Sequence, residues 1–412
     1  MKRILSLILI CIIFSAVMCS CSGNIPGEDL TAKVSADESS TYNFKNAETS
    51  TPSSYASYKN SAVNFSFKML SSIYSNKNNT VYSPSALYYQ LSLLQNATSS
   101  DTQKQIKLLT GKNIALDDLN SCNGYFFSRL ENLSNPEKKR YIDINGDIFF
   151  NENMPVSQIF LQKNANFYNQ NIFRLSYTSD NFTEKVNSYI SEKTENKVKF
   201  TDTPEKTTNL LLLNSAFMKD SWLDGYKRDN ISTDTFSGID GDVEAEFMKS
   251  TEYYIADKGC TGFVKDFKNT PAKFVALLPK ENNVYKFINS LNSDRYFELM
   301  DSINVFKTCD AYLPQFSANS TLNFKDNSNL EFLTKQGNYS ALSYNKTAKI
   351  SDIIQSLEFK ITDSGISTNK LISSNSTKKE PDKRVQLNRP FLFMIVDNES
   401  YIPIYMGVIS VI

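Results

Sequence analysis

Lysines, carboxylates, hydroxyls and six cysteines are the side chains that could do chemistry in these 412 residues, because the chain has no histidine. Ser-His-Asp and Cys-His catalysis and histidine-ligated zinc sites all need that residue, so the composition excludes them. Basic and acidic residues number 44 each and leave no net charge, which removes the electrostatic case for binding nucleic acid. Any function must use the remaining side chains, or the shape and backbone of the fold.

Three short motifs could suggest a ligand, and each is incomplete. Gly111-Lys112 lacks the earlier glycine of a phosphate-binding loop. Residues 259–262 are too short for a dinucleotide-binding loop, and residues 240–242 lack the other ligand positions of a calcium-binding EF-hand. We therefore predict no cofactor and no metal. A serine–lysine hydrolase stays open by residue type, but no Ser-x-x-Lys stands in a suitable context, so we expect a protein that is not an enzyme.

The first residues have the pattern of an export signal. Lys2 and Arg3 precede an apolar run, residues 4–17, which is too short to span a membrane. Cys21 follows the small Ser20 and is the predicted lipid-attachment site of an exported bacterial lipoprotein, with residues 1–21 as the signal. Cys19 is the alternative attachment site; plain secretion and an uncleaved anchor are alternative fates.

Residues 22–59 are poor in large apolar side chains and rich in polar ones. Such a segment buries too little surface to offset the entropy of ordering it, so we predict a flexible tether. The folded domain is predicted to span residues 60–412.

Only three cysteines lie beyond the leader: Cys122, Cys260 and Cys309. An odd and sparse set is not a disulfide framework. We expect buried free thiols, with a Cys260–Cys309 bond as the alternative.

The hydrophobic pattern predicts helices early in the domain and strands late. The continuous apolar run 210–217 is typical of a central strand, and two apolar runs at 391–396 and 404–412, separated by turn-forming residues, predict a hairpin. We find no repeat and no second linker, which favours one large α+β unit. One polar segment, residues 365–384, interrupts this pattern, and a loop of that length is usually functional.

A signature follows this polar loop directly. Residues 385–395, with Asn388-Arg389-Pro390-Phe391 at their centre, resemble the signature of the serpins. Further stretches resemble serpin landmarks in the family's order: residues 64–67, residues 81–84, residues 214–219 followed by Trp222, residues 247–248, residues 277–279 and residues 312–314. The resemblance covers residues 60–412.

The resemblance implies a serpin fold, in which helices surround large mixed β-sheets and a reactive-centre loop is exposed. It also implies inhibition of serine proteases by a suicide mechanism. The protease cleaves the loop, becomes acylated, and is trapped when the loop inserts as a new strand into the central sheet. The implied partner is a serine protease. A membrane is a second partner if Cys21 carries lipid. We expect a monomer that needs no cofactor.

The spacing within the loop locates its reactive bond by resemblance. Gly365 and Pro390 are 25 positions apart, as in inhibitory serpins, and family spacing places the bond at Lys379–Glu380. A lysine there suits trypsin-like proteases, whose specificity pocket carries a carboxylate. Cleavage after Lys378 is the neighbouring option.

The loop hinge departs from the pattern of inhibitory serpins. Asp363, Ser364 and Gly365 keep one acid and the glycine, but Ile366 replaces a small hydroxyl residue. Further along the hinge, Thr368 fits the family pattern. Lys370 does not fit it, because the family has small residues there. Alternation puts Ile366, Thr368, Lys370 and Ile372 on one side of an inserted strand, the inward one by family pattern. An unpaired lysine buried there would slow insertion.

Three residues correspond to the gate that opens the serpin sheet: Ser83, Asn214 and Gln355, the last in place of a common histidine. We expect Gln355 to hydrogen-bond to Asn214. Gln315 stands where a lysine often pairs with the acid now at Asp363. The departures at the hinge motivate the alternative function, a surface binding protein with a serpin fold that does not inhibit.

Overall fold

The computed structural model describes residues 25–37, 51–133, 142–193, 208–335, 337–342, 347–366, 381 and 383–412. Its helices are α1 Tyr55–Ile73, α2 Pro84–Gln95, α3 Ser100–Thr110, α4 Leu116–Leu133, α5 Gln158–Phe167, α6 Phe182–Lys193, α7 Val284–Asn289, α8 Ser293–Asp301 and α9 Glu331–Thr334. Its strands are β1 Glu28–Asp29, β2 Thr80–Tyr82, β3 Ile142–Asn151, β4 Asn171–Leu175, β5 Leu210–Met218, β6 Asp220–Ser221, β7 Ile231–Gly238, β8 Gly241–Ala256, β9 Cys260–Asp266, β10 Ala272–Pro279, β11 Thr308–Pro314, β12 Phe316–Asn323, β13 Gly337–Asn338, β14 Thr347–Ala348, β15 Ile350–Thr362, β16 Gly365–Ile366, β17 Arg384–Gln386, β18 Phe391–Asp397 and β19 Pro403–Ile409. Helices prevail early and strands late, which confirms the predicted α+β class.

Helix α2 shows how local sequence positions the site. The Ser83 side chain accepts a hydrogen bond from the backbone N–H of Ala86 at 3.2 Å, and Pro84 takes the first helical position, where no N–H is needed. Every residue of α2 is buried, so the helix lies in the interior. Its cap therefore places Ser83 deep in the core.

The sheet that we call the main sheet has the strand order β1-β4-β3-β5-β15-β16-β6, with β12 paired to the other edge of β15. Strand β5 is antiparallel to β3 and parallel to β15, whereas β12 and β16 are antiparallel to β15. The apolar run predicted as a central strand is β5, with neighbours on both sides. The short β16 is the beginning of the polar loop.

The second sheet has the order β17-β11-β8-β9-β10-β18-β19-β2, with β7 paired to β8. Strands β18 and β19 form the predicted hairpin, in which Met394 pairs with Met406. Stacked aromatic rings join the two sheets, since Phe359 of β15 lies 4.9 Å from Phe393 of β18. The main sheet and the second sheet therefore share one core.

The segment 25–37 is an ordered edge of the main sheet. Glu28 pairs with Arg174 of β4, both through the backbone and through a 2.9 Å ion pair, and Leu30 continues the contact by donating to the carbonyl of Ile172 at 2.9 Å. Leu30 and Val34 pack against the core. A few backbone bonds and two apolar anchors are enough to order this stretch.

The prediction of a flexible tether over residues 22–59 is therefore wrong for residues 25–37. It is also wrong at its end, because α1 begins at Tyr55 and buries Tyr55 and Tyr58. The folded part starts earlier than residue 60. The predicted signal, residues 1–21, lies outside the described residues.

The three cysteines of the domain, Cys122, Cys260 and Cys309, are free and buried, as predicted. Burial raises the pKa of the Cys122 and Cys260 thiols to about 12, which keeps both thiols protonated at neutral pH. In the part of the chain that the structure describes, no helix is both long and apolar enough to cross a bilayer.

Candidate functional site: the loop hinge and the gap in the main sheet

The polar loop begins inside the main sheet. Strand β15 ends at Thr362, the chain turns at Asp363 and Ser364, and Gly365 and Ile366 then pair antiparallel with Thr362 and Ile361. On their other side the same two residues pair with Ser221 and Asp220 of β6. Ile366 is fully buried, as expected for the inward side. The first two loop residues are therefore already a strand with neighbours on both edges.

Gly365 is required by this turn. Its φ is +138°, a conformation that residues with a side chain rarely adopt. A Cβ added there would lie 2.0 Å from the carbonyl oxygen of Asp220, so no other residue fits without moving the strand. The predicted hinge glycine thus has a specific steric role.

Asp220 holds the far edge of the hinge. Its buried carboxylate accepts hydrogen bonds from the backbone N–H of Ser221 at 2.7 Å and of Thr270 at 2.9 Å, and from the Asn269 amide at 2.7 Å. Burial raises the pKa of Asp220, and the hydrogen bonds from Thr270 and Asn269 lower it in part. These bonds fix the backbone against which Gly365 packs.

Trp222 is the main contact of the hinge turn. Its indole N–H donates to the carbonyl of Thr362 at 2.9 Å, and its backbone N–H donates to the carbonyl of Ser364 at 3.3 Å. The buried ring stacks on Phe267 at 4.9 Å. Trp222 therefore binds the turn on both sides of Asp363.

A buried ion pair supports Trp222, and sequence reasoning missed it. Lys265 Nζ lies 2.6 Å from Glu252 Oε1, donates to the Asp224 carbonyl at 2.8 Å, and stands 5.4 Å above the Trp222 ring and 4.6 Å above the Tyr226 ring. The two charged side chains are at most 2% exposed. The only sequence signal was a lysine directly after the apolar pair Phe263-Val264 of β9.

We expect Glu252→Gln to lower the free energy of unfolding by about 3–5 kcal/mol, because it leaves the buried Lys265 ammonium without its counter-charge. Urea unfolding followed by tryptophan fluorescence measures this. The matched control is the double variant Glu252→Gln with Lys265→Met, which removes both charges and should recover most of the loss. Equal destabilisation by the single and double variants would contradict this interpretation.

Next to the hinge, the main sheet contains a gap. Strands β5 and β15 pair only along residues 210–215 and 350–356. Beyond that point a narrow space, partly open to solvent, lies between them. It is lined by Ala216 and Met218 of β5, by Leu357, Glu358 and Phe359 of β15, and by Val81, Tyr82, Phe393, Tyr405 and Met406 of the second sheet. The gap is mostly apolar and lies in line with β16.

The predicted gate residues come together, but through different partners. Gln355 Oε1 accepts from the backbone N–H of Ser83 at 2.7 Å, and its Nε2 donates to the Ser83 carbonyl at 3.0 Å. Asn214 is opposite Gln355 across the parallel pair, but its side chain donates to Gln90 at 2.9 Å instead. The expected Gln355–Asn214 hydrogen bond is therefore wrong, because Gln355 is satisfied by the backbone of Ser83. Ser83 Oγ in turn donates to the carbonyl of Ile404 at 2.7 Å.

The residue that replaces the expected lysine also has its own partner. Gln315 donates to Glu246 at 3.0 Å, and Asp363 accepts from the Ser364 hydroxyl at 2.9 Å. The acid of the hinge is therefore satisfied locally.

The signature residues join elements of the second sheet. Arg389 donates to the carbonyl of Pro279 at 2.6 Å, at the end of β10, and the carbonyl of Asn388 accepts from the backbone N–H of Ser237 at 2.8 Å. Phe391 is fully buried and lies 5.9 Å from the ring of Phe316. These contacts, together with Pro390 before β18, anchor the return of the loop to the fold.

Several predicted residues lie outside the described part of the chain. They are the hinge residues Thr368 and Lys370, the reactive bond Lys379–Glu380 with its neighbour Lys378, and the lipid-attachment candidates Cys19 and Cys21. Their roles stay predictions.

A loop that begins as a strand beside a gapped sheet and returns through the signature is the arrangement of a serpin. The family model described as "Serpin (serine protease inhibitor)" matches residues 60–411, so the chain belongs to the serpin family. Membership supports protease inhibition in general.

Similar proteins match this chain over most of their length. Alpha-1-antiproteinase of Rattus norvegicus is 20% identical over 369 residues, which cover 86% of this chain and 89% of that protein. An uncharacterised serpin-like protein of Methanosarcina acetivorans is 23% identical over 391 residues, with 86% and 88% covered.

Two solved structures illustrate the range of the fold. The native state of tengpin, a thermophilic serpin, matches with a TM-score of 0.82 and 25% identity, covering 93% of this chain and 99% of that one. Thyroxine-binding globulin in complex with thyroxine matches with a TM-score of 0.73 and 18% identity, covering 86% and 98%. The second likeness concerns the fold alone.

Proposed function

We propose that this protein inhibits trypsin-like serine proteases as a suicide substrate, whose cleaved loop inserts into the main sheet. The observation that carries the proposal is β16. Gly365 and Ile366 already lie between β15 and β6, and β6 follows β5 directly along the chain. Extending β16 in the same line would drive it between β5 and β15, antiparallel to both.

The register of β16 supports this path from both of its edges. In an antiparallel pair, each step forward on one strand is a step back on the other. On the β15 side, Ile366 lies opposite Ile361, so an extended strand would place Ile372 opposite Gln355. On the other side, Ile366 lies opposite Asp220, so Ile372 would come opposite Asn214 of β5. Gln355 and Asn214 are already opposite each other. The gate residues therefore face each other where an inserting strand would have to separate them.

Insertion is favourable on simple energetic grounds. It replaces one ladder between β5 and β15 with two, a gain of about ten backbone hydrogen bonds at roughly 1 kcal/mol net each. Burial of Ile372 would add about 1.5–3 kcal/mol. The opposing contribution is Lys370, whose ammonium has no counter-charge in the family's inward pattern. Insertion stays favourable overall, and its speed relative to deacylation decides whether the protease is trapped.

The proposed reactive bond is Lys379–Glu380. Mixing the protein with trypsin should give a covalent complex that survives a denaturing gel. It should also release a small C-terminal fragment, whose mass should be that of a peptide starting at Glu380. Lys379→Ala should remove most of the reaction, because trypsin-like pockets need a basic residue before the bond. Lys378→Ala is the matched control and should react as the natural chain does. Complex formation by Lys379→Ala at the same bond and rate would refute this placement.

The second candidate function is a surface binding protein that uses the serpin fold without inhibition. Thyroxine-binding globulin, a structural neighbour, is a serpin-fold protein crystallised with a small ligand. The sequence feature that favours this candidate is Lys370. The same gel separates the two functions, since clean cleavage without a covalent complex would support the binding protein.

We further propose that the protein acts outside the cell, held at a membrane through lipid on Cys21. Because β1 begins at Glu28, six residues separate the lipid site from the first strand. The seven steps from Cys21 to Glu28 span at most about 25 Å, so the folded body would lie close to the membrane. The mass of the mature N-terminus separates lipid attachment at Cys21 from attachment at Cys19 and from plain secretion.

A further inference from the structure

We propose that an exposed apolar tip beside the loop, residues 304–307, is a docking surface for the protease that attacks the loop. The inference rests on the proposed function. Its basis is Phe306, whose side chain is 91% exposed, next to Val305 at 64%. Phe306 is the most exposed large apolar side chain among the described residues, and such exposure in a soluble protein commonly marks an interaction site.

The tip is held in shape by local hydrogen bonds. Asn304 Oδ1 accepts from the backbone N–H of Phe306 at 2.8 Å, and the Asn304 carbonyl accepts from the N–H of Lys307 at 3.0 Å. The Lys307 carbonyl then accepts from the N–H of Tyr254 in β8 at 2.9 Å. Phe306 is therefore presented to solvent by an ordered turn, which lowers the entropy cost of binding through it.

The tip lies beside the C-terminal stem of the loop. Strands β11 and β17 are parallel, with Asp310 opposite Arg384, so the segments leading into them arrive side by side from the same end. Counting back three residues from Asp310 and from Arg384 reaches Lys307 on one side and Pro381 on the other. The side chain of Lys383 supports this proximity, since its Nζ stands 4.8 Å above the ring of Tyr254, the β8 residue whose backbone N–H donates to Lys307.

Pro381 follows Glu380, the second residue of the proposed reactive bond. Because consecutive Cα atoms are about 3.8 Å apart, the bond lies within two residue lengths of Pro381. A protease of about 220 residues is roughly 40 Å across. A protease of that size, with the bond in its active site, is large enough to reach Phe306.

The charges around the tip define the surface it would fit. Among the described residues around the tip, Lys307, Lys383 and Arg384 are exposed, and the carboxylate of Asp310 is paired with Lys249 at 2.9 Å. We expect the protease to present an apolar patch with acidic residues next to it. This patch should lie on the primed side of its active site, which binds the residues that follow the cleaved bond. Such complementarity raises the rate of association more than the final stability of a complex.

The test measures the second-order rate at which bovine trypsin consumes the intact loop, counting cleaved and trapped product together. Phe306→Ser should lower this rate about tenfold, the size expected for a central interface anchor, and Lys307→Glu should lower it further at low salt. The matched control is Ile159→Ser, since Ile159 is 75% exposed on helix α5 and should not matter. The fraction of protease trapped should stay as it is in the natural chain.

Rates for Phe306→Ser within twofold of the natural chain would overturn the docking surface, even if covalent complexes form. A natural chain that sediments as a dimer, which Phe306→Ser converts to a monomer with no change in the trypsin rate, would overturn it in favour of self-association. Failure of the natural chain and every variant to form a covalent complex would refute inhibition. The rates of loop consumption would still show whether the protease docks on the tip. Melting temperatures equal to that of the natural chain verify that the variants fold.

Discussion

If the proposed loop insertion operates, Gly365→Ala should convert the protein from an inhibitor of its protease into a substrate. A methyl group at this position would meet the Asp220 carbonyl at 2.0 Å, and φ of +138° is unfavourable for any residue with a side chain. The backbone conformation alone costs roughly 1–2 kcal/mol, and the collision adds to it. The variant should therefore lose β16 from the sheet, so that insertion has to start from outside it. The ratio of covalent complex with the protease to cleaved, uncomplexed chain should then fall by more than about tenfold. Densitometry of denaturing gels after reaction with trypsin measures this ratio.

Ser364→Ala is the control for the same turn, because it removes only the hydroxyl that donates to Asp363 and keeps the backbone. It should trap protease as the natural chain does. A second readout is thermal: the nicked natural chain should melt well above the intact one, because its loop has inserted, and nicked Gly365→Ala should gain less. An unchanged ratio together with an unchanged gain in melting temperature would show that insertion does not pass through the conformation seen at Gly365.

Residues whose neighbours are close along the chain were predictable from the sequence. Ser83 and Pro84 predict the start of α2 because capping depends on three or four consecutive residues. The apolar run of β5 and the hairpin β18–β19 follow from local periodicity. The hinge was located through resemblance, and the steric reason for its glycine became visible only when Asp220, distant along the chain, was placed against Gly365.

The wrong predictions concern partners that composition does not specify. Residues 25–37 look like a tether because they are polar, but a sheet edge can order a polar segment through backbone bonds, and Leu30 and Val34 supply enough burial. Gln355 was expected to bond to Asn214, but an amide that both donates and accepts is satisfied equally well by the backbone of Ser83.

The missed Lys265–Glu252 pair has the same origin. Charged residues within a strand usually indicate a solvent-facing position, and only the fold shows that these two neutralise each other in the core beneath Trp222. Long-range pairing of this kind decides how firmly the hinge turn is held. It leaves no local pattern in the sequence.

Lys370→Ala should have the opposite effect to the change at Gly365 and raise the ratio of trapped to cleaved protein about tenfold. Continuing the register of β16 puts Lys370 opposite Leu357 on β15 and opposite Ala216 on β5, and both residues line the gap in the main sheet. Ile366, four residues earlier and on the same side of the strand, is fully buried. Insertion would therefore bring an ammonium into a mostly apolar space, which costs several kcal/mol without a counter-charge. Removing the charge should speed insertion relative to deacylation.

The control for this change is Asn369→Ala, because alternation turns Asn369 to the opposite side of the strand. In the inserted strand its register partner on β15 would be Glu358, whose side chain is exposed, so the trapped fraction should stay as it is. A third variant, Lys370→Glu, tests whether charge or length is responsible, since a buried carboxylate should trap as poorly as lysine does. If Lys370→Ala and the natural chain trap equally, the lysine reaches solvent in the inserted state, and the gap does not limit the rate of insertion.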